Sequence, residues 1–190
     1  MPPKTEEQFA EIRNEKTKLI METALQLFAN NGFDNTSISA IAKHAAISKG
    51  LMYNYFDSKD SLLKAVIMSG MDNFMHFLQV EDENNIEREE LIRFIDGNLE
   101  SIKQNTDYYK LYFSLVFQPK VFSLLGNDFI LIFEQLINKL VLYFSQKEEK
   151  NPYVKTRLLL AIFDGVGIHY ISDPESFPLN DIRELIIEMI

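Results

Sequence analysis

Residues Thr36 to Leu62 read TSISAIAKHAAISKGLMYNYFDSKDSL, and the folding of this stretch decides the architecture. Thr36 and Ser37 offer side-chain oxygens to cap a short helix whose inward positions are Ile38, Ile41, Ala42 and Ala45. That helix has barely two turns before Ala46-Ile47 makes a tight connection. Ser48 caps a third helix, and Asp57-Ser58 ahead of Lys59-Asp60-Ser61-Leu62-Leu63 starts a fourth. Three short helices so close together form a packed unit. A two-turn helix, a corner and a second capped helix is the arrangement of a helix-turn-helix, whose second helix enters the major groove of DNA. Spacing alone fits any corner between two helices as well.

Residue chemistry tips that balance. Between Thr36 and Lys64 there are four bases, Lys43, Lys49, Lys59 and Lys64, against two acids, Asp57 and Asp60. The whole chain has the opposite sign, with 19 Lys plus Arg against 28 Asp plus Glu in 190 residues and a net charge of -9. Taken whole, that balance argues against a basic nucleic-acid coat or a polybasic membrane binder. Residues 1–64 carry eight bases and eight acids, so the net negative charge lies entirely beyond them. Within the locally basic piece, Ser48, Lys49, Gly50, Tyr53, Asn54 and Tyr55 put donors and small residues where a phosphate backbone can come close.

Three elements, Thr36-Ser37-Ile38-Ser39-Ala40-Ile41-Ala42, Ile47-Ser48-Lys49-Gly50-Leu51-Met52-Tyr53-Asn54-Tyr55-Phe56 and Ser58-Lys59-Asp60-Ser61-Leu62, carry a family resemblance. Together they closely resemble the DNA-binding domain of the TetR/AcrR family of bacterial transcriptional regulators. The resemblance implies that Thr36 and Ser37 meet phosphate through hydroxyls and helix N-terminal amides. It implies that Ser48, Lys49, Gly50 and Tyr53 grip the backbone, and that Lys49, Leu51, Asn54 and Tyr55 reach the groove. Lys59 would also contact phosphate. A cation at a helix N-terminus opposes the helix dipole, which suggests a charge wanted for something outside. Met52 and Phe56 read as core. One departure is Ala46, where the family commonly has glycine; a left-handed alanine there costs about 1 kcal/mol.

Outward from this stretch the pattern stays helical. Phe9, Ile12, Ile20, Ala24, Leu27 and Phe28 make one stripe of a long first helix, ended by Asn30-Asn31-Gly32-Phe33. Leu91, Ile92, Ile95, Leu99 and Ile102 recur at helical spacing. Pro119 divides the next apolar region into two helices, and Leu125-Gly126-Asn127-Asp128 is a further joint. Asn151-Pro152 starts a helix that runs to Ile171, and Leu179 to Ile190 is the last. No alternating strand pattern occurs. The expected fold is all-α: a three-helix helix-turn-helix domain over 8–64, with the motif at about 36–55, and a C-terminal helical bundle over 65–190.

The resemblance implies that the C-terminal bundle binds a ligand and dimerises. Aromatic residues are dense there, and an apolar pocket with a few polar tips is the usual form of a small-molecule site. Phe94, Tyr108, Tyr109, Tyr112, Phe113, Phe117 and Phe133 are the candidate lining for a small apolar or aromatic effector. The helix from Pro152 is apolar on two faces. Val154, Leu158, Ala161, Ile162 and Gly165 form one stripe, and Leu159, Phe163, Val166 and Tyr170 form another about 100° around. Leu159, Phe163, Val166, Gly167 and Tyr170 are assigned to a homodimer contact that the terminal helix shares, and the other stripe to the protein's own bundle. Two subunits would supply recognition helices for half-sites about 34 Å apart on double-stranded DNA.

Other chemistry lacks its residues. There is no cysteine, so thiolate metal sites, disulfides and a cysteine nucleophile are excluded. His44, His76 and His169 stand apart without a metal-binding spacing, and Gly165-Val166-Gly167 lacks the rest of a dinucleotide loop. No catalytic, metal or cofactor site is expected. Neither a signal peptide nor a membrane helix is visible, and a cytoplasmic location is expected. The most direct reading is a ligand-responsive homodimeric repressor. The competing one is an all-helical small-molecule or lipid-binding protein, or an enzyme, with no DNA role.

Overall fold

A computed structural model describes residues 5–82 and 84–190, with Phe122 and Asp128 described in the main chain only. Every regular element among the described residues is a helix: α1 (Glu6–Asn31), α2 (Ile38–His44), α3 (Lys49–Tyr53), α4 (Lys59–Met75), α5 (Arg88–Gln104), α6 (Thr106–Val116), α7 (Pro119–Gln146), α8 (Pro152–Ser172) and α9 (Leu179–Glu188). The all-α expectation holds. The chain divides into two compact units. The first takes in the residues up to Ser69 together with Ser114–Leu125, and the second takes in Gly70–Phe113 and Gly126–Ile190. The second unit contains 20 of the 28 acids and 10 of the 19 bases, a net -10, which leaves +1 for the first.

Local chemistry sets the helix ends in the first unit. Thr5 and Gln8 close a reciprocal capping box at the start of α1. Gly32 ends α1 at φ 82°, and Phe33 folds back so that its ring lies 5.2 Å from that of Phe28. Ser37 accepts from the Ala40 amide and Ser48 from the Leu51 amide, so α2 and α3 each begin on a serine cap. Ser58 and Ser61 exchange hydrogen bonds at the start of α4. The core draws Ile20, Ala24, Leu25 and Phe28 from α1, Ile41 and Ala42 from α2, and Met52 from α3. α4 contributes Leu62, Leu63 and Val66, and the later segment contributes Leu115, Val121 and Leu125. Gln118 donates to the Phe28 carbonyl, and Lys120 pairs with Asp34 in the turn after α1.

In the second unit, Phe74, Phe94 and Phe163 meet edge to face with centroids 5.0 to 5.9 Å apart. Two buried polar side chains are satisfied within it. Asn98 donates to the carbonyls of Phe74 and Phe94, and Glu90 accepts from the amides of Glu81 and Glu87, each at 2.8 Å. Arg183 of α9 forms a fork on Asp96 of α5 at 2.6 and 2.8 Å, and Arg88 donates to the Ile187 carbonyl. As expected, Pro119 opens α7 and the chain kinks at Gly126, whose φ is 64°.

Candidate nucleic-acid interface

α2 and α3 meet at a corner whose pivot is Ala46, with φ 53°. The Ile47 amide bonds back to the Ala42 carbonyl at 3.0 Å and closes the turn. This left-handed alanine is the strained position that the sequence suggested. Beyond the corner, Met52 and Phe56 face the core and fix the roll of α3. That roll turns Ser48, Lys49, Gly50, Leu51, Tyr53 and Asn54 outward, all exposed, with Tyr55 half-buried behind them. A Cβ on Gly50 would meet nothing within 4 Å, so its main chain is open to close approach. Ser37, at the start of α2, is exposed as well.

Two of the expected phosphate contacts are built differently. Thr36 is buried, and its hydroxyl is engaged by the carbonyls of Leu27 and Gly32 at 3.1 and 2.9 Å. It closes the α1 end from below, and Ser37 alone caps α2. Lys59 is the second correction. Its ammonium donates to the carbonyls of Phe33, Thr36 and Asp34 at 2.8, 3.0 and 3.4 Å, and it sits 4.3 Å from the Phe33 ring centroid. Three donors meet three acceptors. The charge that opposes the α4 dipole is held by the main chain between α1 and α2.

Sequence reasoning missed Arg13 and Lys120. Arg13 Nη2 donates to the Asn54 carbonyl at 3.1 Å, and its guanidinium lies 5.1 Å from the Tyr55 ring centroid. The partners stand 41 residues apart in one case and 86 in the other, so no local spacing reveals them.

The candidate pocket residues part company. Tyr108, Tyr109, Tyr112 and Phe113 form one aromatic cluster, with Tyr108 and Tyr112 stacked at 6.1 Å and Tyr109 bonded to Ser101 at 2.8 Å. Burial pushes the Tyr112 phenol well above its ordinary value, and Tyr108, Tyr109 and Asp72 push the same way. Phe94 is core packing. Phe117 is 62% exposed on the first unit, and Phe133 stacks on Phe129 under Arg157. A separate open cleft of about 240 Å³ is lined by Asp96, Leu99, Glu100, Lys103, Leu179, Asn180 and Arg183.

The two stripes of α8 are exchanged relative to the sequence assignment. Leu159, Phe163, Val166, Gly167 and Tyr170 are buried in the protein's own second unit. Val154, Leu158 and Ala161 of the other stripe are exposed instead, a Cβ on Gly165 would meet nothing within 4 Å, and Ile168 extends this exposed face, while Ile162 of the same stripe packs partly against the core. Both stripes are apolar, so periodicity alone could not tell which one the bundle covers.

Among the described residues, no group of three or more His, Asp or Glu side chains could hold a metal ion, and no helix is long and apolar enough to cross a membrane.

Residues 20–66 match the family of bacterial regulatory proteins, tetR family. The chain is 31% identical over 159 residues to the HTH-type transcriptional regulator UidR of Escherichia coli K12, covering 77% of each. It is 37% identical over 98 residues to the uncharacterized HTH-type transcriptional regulator YuxN of Bacillus subtilis, covering 51% of this chain and 34% of that relative. Against that relative, the chain spans about a third of its length. The fold is similar to NalD, described as the secondary repressor of the MexAB-OprM multidrug efflux pump in Pseudomonas aeruginosa. There the TM-score is 0.71 at 17% identity, over 93% of this chain and 94% of that one.

Proposed function

From the premise that the chain belongs to the TetR family of DNA-binding transcriptional regulators, we propose that it acts as a homodimeric repressor in the bacterial cytoplasm, released from its operator by a small effector. The observation that carries this reading is the outward set on α3. Ser48, Lys49, Gly50, Leu51, Tyr53 and Asn54 are exposed together while Met52 locks the helix from behind. In the proposed roles, Ser37, Ser48, Lys49, Gly50 and Tyr53 meet phosphates, and Lys49, Leu51, Asn54 and Tyr55 reach base edges. The net -10 of the second unit repels DNA and restricts binding to the nearly neutral first unit.

The exposed face of α8, Val154, Leu158, Ala161, Gly165 and Ile168, is the proposed subunit contact. Leu185 of α9, 60% exposed, extends it. A second subunit places a second α3 on the same face of the duplex. The effector site is proposed at the Tyr108, Tyr109, Tyr112 and Phe113 cluster. Gly70 of α4 supports it, because a Cβ there would collide with the Tyr112 ring. α4 begins in the first unit, which also contains α3, and ends in the second, so an effector that reseats Tyr112 acts on a helix common to both. Its leverage equals its difference in affinity for the two conformations.

A gel-shift assay with the DNA flanking the protein's own gene tests the reading. Specific binding that weakens steeply with salt and on Lys49→Ala supports it. Failure to select any duplex from a randomised pool returns the protein to the reading of a helical small-molecule carrier or enzyme.

A further inference from the structure

We propose that Arg13 of α1 is a positioning residue for DNA recognition: it fixes the exit end of α3, and with it Asn54 and Tyr55, without touching DNA. The inference rests on the reading that α3 enters the major groove.

α3 has five residues, far too short to be stable alone. Its entry is a left-handed alanine, and its last turn holds no basic residue to balance the carbonyl end. Its orientation therefore depends on ties to the rest of the unit. Met52 supplies one, seated in the core. Met52 sets the roll of the helix, and the next buried side chain is Phe56, so Asn54 and Tyr55 span the stretch between these two core anchors. Arg13 supplies the tie at that exit, with Nη2 at 3.1 Å from the Asn54 carbonyl and the guanidinium over the Tyr55 ring. One planar group thus holds two adjacent residues that are offered as groove readers. A lysine at this position would bring a single compact ammonium in place of the guanidinium's rigid, planar fork of five donors, and so would not reproduce the same geometry at both groups. The strut itself is stiff. Arg13 lies on the 26-residue α1, anchored two turns later by Ile20, Ala24, Leu25 and Phe28. The interaction also places a cation at the end of a helix, where carbonyls accumulate.

An arginine this close to α3 has an obvious rival role as a phosphate grip, and salt dependence separates the two. A phosphate contact contributes about 0.9 to the slope of log affinity against log salt, whereas a side chain that acts through α3 contributes none. The experiment uses the full chain and the duplex that the wild type selects from a randomised pool, with a scrambled duplex as reference. For Arg13→Ala, discrimination between the two duplexes is expected to fall about five- to ten-fold. The salt slope is expected to stay at the wild-type value, and the thermal midpoint to fall by only about 2 to 4 °C. Arg13→Lys keeps the charge and should recover little of the discrimination.

A slope lowered by about 0.9 and restored by lysine overturns the proposal in favour of a phosphate grip. Unchanged discrimination also overturns it, as does a lowered thermal midpoint with discrimination intact. Lys49→Ala is the control for the underlying reading. If the wild type selects no duplex, or Lys49→Ala binds like the wild type, the groove-reading role of α3 falls first. If Lys49→Ala weakens binding and Arg13→Ala does nothing, only the role of Arg13 falls.

Discussion

The ammonium of Lys59 donates to the carbonyl of Phe33 at 2.8 Å while lying 4.3 Å from the centroid of the same residue's ring. Phe33 is thereby held by main chain and side chain at once, immediately after the glycine that ends α1. With the further carbonyls of Asp34 and Thr36, Lys59 joins the start of α4 to the link between α1 and α2. Hydrogen bonds from a charged group to buried acceptors are worth about 1.5 to 3 kcal/mol. Lys59→Ala should therefore destabilise the fold by about 2 kcal/mol, read as a lowered urea midpoint. It should leave the salt slope of DNA binding at its wild-type value. A slope smaller by about 0.9 with unchanged stability would show that the ammonium leaves the carbonyls and meets phosphate.

Lys59 also marks where sequence reading stops. Its position at a helix start was legible, and so was the cost of a cation there; the acceptors were not, because they lie 23 to 26 residues earlier. Local chemistry was read well. The caps Ser37 and Ser48, the stop at Gly32, the corner at Ala46 and the breaks at Pro119 and Gly126 are all set by residues within a turn of one another. The inward positions Ile38, Ile41, Ala42 and Ala45 follow from period alone, and all four are buried. What failed needs the third dimension. Thr36 resembles a cap in sequence, yet its neighbours in space are the carbonyls of Leu27 and Gly32. Phe94 and Phe117 sound alike as aromatic residues, while one is fully buried and the other largely exposed.

Ala46 offers a gain. Its φ of 53° costs an alanine about 1 kcal/mol, and glycine adopts the angle freely at some cost in chain entropy. Ala46→Gly should be neutral to stabilising by about 1 kcal/mol, seen as an equal or higher thermal midpoint. A clear loss of stability would mean that the corner is not left-handed in solution.

Two glycines of the second unit have no room for a methyl group. A Cβ on Gly97 would collide with the Phe77 ring, and one on Gly70 with the Tyr112 ring. Gly97→Ala and Gly70→Ala should each cost about 1 to 3 kcal/mol, in line with overpacked cores. Both effects are measurable by chemical denaturation. Only Gly70→Ala should also alter effector response, because only its ring neighbour belongs to the tyrosine cluster.

Alkaline stability should depend on Tyr112. Burial raises its phenol above the ordinary value of 10.0 in the folded chain. Above about pH 10 the unfolded chain releases that proton and the folded chain retains it, so stability falls as pH rises through this range. Burial shifts Tyr143 in the same direction, and its buried hydroxyl has no hydrogen-bond partner among the described residues. Tyr112→Phe should flatten the fall above pH 10 in denaturation curves. Tyr143→Phe should raise stability at neutral pH by about 1 kcal/mol by removing an unsatisfied group.

The exchange of stripes on α8 makes the subunit contact testable by opposite outcomes. Leu158 is 48% exposed, whereas Phe163 packs against Phe74 and Phe94. A charge at an exposed position leaves the fold intact but is costly at an apolar contact between subunits. Leu158→Glu should keep the thermal midpoint of the isolated fold and sediment as a 22.1 kDa monomer. Its operator binding should weaken, because on the proposed reading a monomer brings one α3 to a half-site where the dimer brings two. Phe163→Ala opens a cavity in a packed aromatic trio and should cost about 3 to 5 kcal/mol. Sedimentation and thermal melts on the two variants decide the matter. If Phe163→Ala yields a stable monomer and Leu158→Glu remains a dimer, the contact lies elsewhere than on the exposed face of α8.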